Sequence, residues 1–115
     1  MSSRWRVVRV RGVSMQPAFD PGDLLLVSSR RPPRPADAAV VRLPPDRHGA
    51  PRPVALKRLR HEEPGGWWID SDNAREGVTS FEVGLIPAED VLGVVRRRLW
   101  PMTPRPGGAQ SRGQG

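Results

Sequence analysis

Ser14 stands in "VRGVSMQPAFDPGDLLLV", after a glycine and before a Pro-Gly-Asp turn and an apolar run. A serine hydroxyl is a weak nucleophile until a base takes its proton. The first candidate bases are the two histidines. His48 lies in the loop "DRHGAP" and His61 in "RHEEPGG", and both positions read as solvated. "GVSMQ" lacks the second glycine of a Gly-x-Ser-x-Gly elbow, and no His-Glu-x-x-His zinc motif occurs. "DSDN", Asp70 to Asn73, opens like a calcium loop. Arg75 and Phe81 occupy the positions where such a loop needs glycine and glutamate. It reads instead as a polar β-turn. No metal or cofactor is expected.

The remaining base is Lys57. It is the single lysine among 19 basic residues. Arginine stays protonated under almost all conditions, whereas a buried lysine can lose its proton. Desolvation can bring a lysine from about 10.4 toward 7 or 8, where a neutral amine can accept the serine proton. In "PVALKRLR", Val54, Leu56 and Arg58 alternate with Ala55, Lys57 and Leu59. A strand therefore places Lys57 on an apolar face. On these residues alone, an exposed strand lysine and an ordinary turn serine remain open alternatives.

The elements that must position this pair are short strands. "RWRVVRVRG", "DLLLVS", "AAVVRLP", "PVALKRLR", "GWWID" and "DVLGVVRRRLW" are β-branched or apolar runs between Gly and Pro breaks. Gly93 marks a bulge in the last run. Helical turns are expected only at "SMQPAF" and "PAED". The fold class is all-β: a compact antiparallel sandwich or open barrel with few helical turns. Trp67 and Trp68 are neighbours on a strand, so one faces the core and the other a surface. "SSRRPPRPADA" and "PPDRHGAPRP" read as surface loops, the second a hairpin tip.

With 115 residues, one domain is expected, over residues 1–100, followed by a Pro/Gly-rich disordered tail over 101–115. The absence of cysteine excludes disulfides, cysteine nucleophiles and thiolate metal sites. Net charge is +7 and the pI about 11.6, but arginine and 14 prolines dominate the skew. That pattern fits a compositional bias better than a binding face, so no specific nucleic-acid partner is expected. Arg96, Arg97 and Arg98 read as a solvated strand face. The N-terminal stretch is too basic for a signal-peptide core, and no apolar run could span a membrane. A soluble, cytoplasmic protein is expected, with peripheral attachment to a membrane through basic side chains left open.

"GVSMQPAFDPGDLLLV" closely resembles the nucleophile box of type I signal peptidases, Gly-x-Ser-Met-x-Pro followed by Gly-Asp and an apolar strand. "ALKRLR" resembles their lysine box. "DSDNAREGVTSFEVGLIPAEDVLG" is similar to their third box, and the three stand in the family's order. The resemblance implies Ser14 as nucleophile and Lys57 as general base. It implies an oxyanion held by the Ser14 amide, with Gly12 where other members place an assisting serine. It also implies Met15 at the specificity pocket, Pro17 and Leu56 at the substrate, and support from Asp72, Asn73 and Ser80. The third box departs from the pattern. Ser71 replaces a glycine, and Gly77 replaces a serine that orients the lysine. Thr79 and Phe81 replace an aspartate and an arginine, which leaves Asp72 without its expected partner.

The implied activity is a serine endopeptidase that removes N-terminal leaders from precursor proteins after small residues, binding them as extended strands. The chain's length and its "GGWW" and "DN" residues are most similar to the short members described as nickel-type superoxide dismutase maturation proteases. A nickel superoxide dismutase precursor is then the implied substrate. Two other readings stand beside it: a relative of the self-cleaving LexA-type domain, and a catalytically weak peptide-binding homologue.

Overall fold

A computed structural model describes residues 5–73 and 75–102. All six expected strands form: β1 Trp5–Arg9, β2 Leu24–Ser28, β3 Ala38–Arg42, β4 Val54–Glu63, β5 Gly66–Asp70 and β6 Val91–Trp100. They make one antiparallel sheet in the order β1-β2-β6-β3-β4-β5. β1–β2, β3–β4 and β4–β5 pair with their neighbours in sequence. β6 instead returns from the end of the chain to lie between β2 and β3. The end of β1 and the start of β4 line one groove although three strands separate them in the sheet. The sheet is therefore curled, the open-barrel form of the all-β expectation.

Alternation decides what each strand buries. In β4, Lys57 and Leu59 are buried while Leu56 and Arg58 point the other way, half-buried. Leu59 joins Ala39, Val41, Trp67, Ile69 and Ile86 in the main core. Full burial of each large side chain there contributes about 1.5–3 kcal/mol. A second cluster joins Val10, Leu25 and Val27, with Val8, Val40 and Leu56 packed against it. Trp67 is buried, and Trp68 lies on the other face between His61 and Phe81.

The register of β6 slips next to Gly93, where Val40 faces Gly93 but Val41 faces Val91. A Cβ on Gly93 would stand 2.6 Å from Val27 Cγ1, so this close strand approach needs glycine. Helical turns occur where expected, at Ala88–Asp90 and after Ser14. One helix was not expected: α1, Ser80–Val83, capped by the Thr79 hydroxyl. Of the expected tail, Pro101 and Met102 are described, and residues 103–115 lie outside the described residues. Among the described residues no helix is long and apolar enough to cross a membrane.

Candidate active site

The loop between β1 and β2 carries Ser14. Gly12 turns the chain at φ 73°, a left-handed conformation that costs glycine little. The loop closes on itself through Val10 N–H to Asp23 O at 2.8 Å and Gly22 N–H to Val10 O at 2.9 Å. The Asp23 carboxylate accepts the Asp20 N–H at 3.0 Å. Met15 is 2% exposed and anchors the loop in the core. Ser14 itself is only half-buried.

Lys57 projects from the buried face of β4 and is 2% exposed. Opposite it on β3 stands Ala39, which offers no charge. Among the described residues no carboxylate lies within ion-pair distance of its amine. Burial lowers the Lys57 pKa below its ordinary 10.5; the negative charges of Glu82 and Asp70, farther off, oppose this in part. Its Nζ donates to Ser71 Oγ at 3.1 Å, both groups buried.

Ser14 and Lys57 converge on Gly77. The point where a Gly77 Cβ would stand is 2.6 Å from Lys57 Nζ, 2.8 Å from Ser14 Cβ and 2.8 Å from Ser71 Oγ. Gly77 also has φ 86°. Three polar side chains share the space that a fourth would fill, and the backbone there is one that L residues rarely adopt.

One turn, Asp70–Asn73, ties these parts together. Ser71 N–H donates to Asp70 Oδ1 at 2.8 Å, which sets the Ser71 backbone, and the Ser71 hydroxyl meets Lys57. Asp72 takes both Nε, at 3.0 Å, and Nη2 of Arg58, the residue after Lys57. Asp72 lacks the partner that the third box would supply, and Arg58 of β4 takes that place. Asn73 N–H donates to Ser14 O at 2.8 Å and Asn73 Nδ2 to Val13 O at 3.1 Å, clamping the Ser14 loop.

The other sequence-derived candidates fall in different places. Ser80 is buried, and its Oγ accepts the Ile69 N–H at 2.7 Å, so it docks α1 on β5 rather than touching Ser14. Leu56 and Gly12 line a groove of ≈ 460 Å³ that Ser14 also lines, together with Val8, Val10, Val40 and Ala55. Met15 and Pro17 do not line it. Met15 packs inward, and Pro17 is exposed. Thr79 caps α1 and the Phe81 ring is 85% exposed against Trp68. Both histidines are exposed, His61 beside Glu63 and stacked on Trp68. A larger hollow, ≈ 810 Å³, is lined by Pro44, Asp46, His48 and Glu82 and excludes Ser14 and Lys57. Among the described residues no cluster of His, Asp and Glu could hold a metal ion.

The groove has an open hydrogen-bonding edge. β5 pairs with β4 only from Arg58 onward, and β3 occupies the other side of Val54–Lys57. Among the described strands none covers the outer edge of Val54–Lys57, and an extended peptide could add there as a further strand. A serine, a buried amine with no counter-ion among the described residues and a strand edge that no described strand covers together suit acyl transfer on a peptide.

Sequence reasoning did not find the roles of Ser71 and Arg58. Arg58 carried a signal in its position beside Lys57 on the opposite strand face. Ser71 carried none, because its hydroxyl meets Lys57 only through the β4–β5 pairing.

A family model described as Peptidase S24-like matches residues 2–95. Neither the curated proteins nor the solved structures contain a match.

Proposed function

Since the chain belongs to the Peptidase S24-like family, a serine peptidase family that also takes in self-cleaving LexA-type relatives, we propose that it is a serine endopeptidase with a Ser14–Lys57 dyad. The observation that carries this reading is the meeting of Ser14 and a desolvated Lys57 at Gly77. Neutral Lys57 takes the Ser14 proton as Oγ attacks the scissile carbonyl. The oxyanion forms against the Ser14 N–H, which has no backbone acceptor among the described residues. The Lys57 ammonium then gives its proton to the departing amine, leaving an acyl-enzyme. Water attacks the ester while Lys57 takes the water proton, and the proton returns to Ser14 as the acid leaves.

The substrate in this reading is an exported or metal-enzyme precursor with an N-terminal leader, laid along Val54–Leu56 and cut after a small residue. A nickel superoxide dismutase precursor is the specific candidate that the sequence resemblance suggests. Incubating candidate precursors with the protein and measuring the products by mass spectrometry tests this. Ser14→Ala and Lys57→Met should each abolish cleavage, and full activity in Lys57→Met would remove the dyad.

Family membership favours a second reading, cleavage of the chain's own polypeptide. Concentration-independent loss of intact mass at alkaline pH, absent in Ser14→Ala, would select it over cleavage in trans.

A further inference from the structure

We propose that Ser71 is a positioning residue of this site: its hydroxyl holds Lys57 Nζ at the point on which Ser14 also converges, in space that exists because residue 77 has no side chain. The proposal rests on the dyad reading. A lysine side chain has four rotatable bonds, and its amine must be fixed to accept a proton along one line. Among the described residues no carboxylate forms an ion pair with Lys57, the usual means of fixing such an amine. Its described side-chain hydrogen bond is the 3.1 Å contact to Ser71 Oγ.

The Ser71 hydroxyl is held in its turn. Ser71 is 4% exposed, and its own N–H is tied to Asp70 Oδ1 at 2.8 Å. Two residues on, Asn73 N–H grips Ser14 O at 2.8 Å. A single short turn therefore sets both halves of the dyad, one through a side chain and the other through the backbone. Ser71 Oγ and any Cβ at residue 77 exclude one another, being 2.8 Å apart. The two departures of the third box, a serine at 71 and a glycine at 77, are thus one arrangement in space.

A serine that merely satisfied a buried amine would be replaceable without kinetic consequence once the fold held. A positioning serine would not. The charged groups that act on Lys57 are Glu82 from α1 and Asp70 from β5; β3 presents the apolar Ala39. Removing Ser71 Oγ leaves those unchanged and takes away an acceptor that favours the charged amine.

The test uses Ser71→Ala, Ser71→Cys and Ser71→Thr in the full chain. The probe is a fluorogenic leader peptide with alanine at the third and first positions before the cut. Ser71→Ala and Ser71→Cys should lower kcat on the order of 10²-fold with KM within about twofold. Ser71→Thr, which keeps the hydroxyl, should recover most of the loss. The single lysine allows a readout independent of activity: protein labelled with 13C-lysine gives one Cε signal, and its titration midpoint should move down in Ser71→Ala. An unchanged kcat in Ser71→Ala overturns the proposal while leaving the peptidase reading intact. An unchanged Lys57 titration also overturns it. If the wild type cleaves nothing while the titration moves, the peptidase reading falls and Ser71 remains what sets Lys57.

Discussion

A methyl group on Gly77 tests the site at its most crowded point. In Gly77→Ala the new carbon would stand 2.6 Å from Lys57 Nζ and 2.8 Å from both Ser14 Cβ and Ser71 Oγ. Contact distances between such atoms are normally above 3.5 Å. The ammonium end of Lys57 can swing aside, but Ser14 Cβ is fixed to a loop that Met15 and Asn73 hold in place. The backbone adds strain, because φ 86° costs a residue with a Cβ about 1–2 kcal/mol. Overpacking costs a further ~1–3 kcal/mol when nothing moves. Gly77 is solvent-exposed, so its loop can shift outward and relieve part of that. The expected stability loss is therefore about 1–3 kcal/mol, roughly 4–15 °C of melting temperature for a chain of this size. The expected loss of activity is larger, on the order of 10²-fold or more, because any shift that makes room separates Lys57 from Ser14. Thermal melting and cleavage of the same leader peptide measure the two effects. The Lys57 titration should move up toward 10.5 as water reaches the amine. A folded Gly77→Ala protein that cleaves within threefold of wild type would refute the convergence argument.

Lys57→Met should be inactive and, near neutral pH, more stable than the wild type in urea titration. The sign follows from the lowered pKa: between that value and 10.5 the unfolded chain binds more protons than the folded one, so wild-type stability rises with pH in that window. The methionine variant should lose this slope, and a retained slope would show that another group causes it. Cleavage by the wild type should rise with pH through an ionisation below 10.5, since only the neutral amine accepts the serine proton; a rate independent of pH from neutral to alkaline would rule out Lys57 as base. Asp72→Ala removes the two-pronged partner of Arg58 and should cost about 1–3 kcal/mol by chemical denaturation. Ser80→Ala orphans the buried Ile69 N–H at a cost of about 1–3 kcal/mol, with kcat falling less than in Ser71→Ala; the reverse order would place Ser80 at the reacting atoms.

The residues by themselves determined which segments are strands and which face of β4 Lys57 occupies. β-branched runs cut by Gly and Pro leave little choice of element, and a period of two fixes which side chains share a face. The same local signals marked both histidines as solvated and Gly93 as a bulge site. Four-residue α1 escaped notice because one helical turn has no periodicity, and its cap, Thr79, is as common in loops. Only the tertiary structure decided that β6 enters between β2 and β3, since strand order depends on pairings across the whole chain. That pairing curls the sheet and brings the end of β1 toward β4, while β5, pairing only from Arg58 onward, leaves the edge of Val54–Lys57 open. It also settled the third box. Read along the chain, Ser71 and Gly77 were two departures and Asp72 was without its expected partner. In space Ser71 meets Lys57, Gly77 makes room for both, and Asp72 pairs with Arg58. A hydrogen bond depends on where two strands place their side chains, and no spacing within one segment encodes that distance.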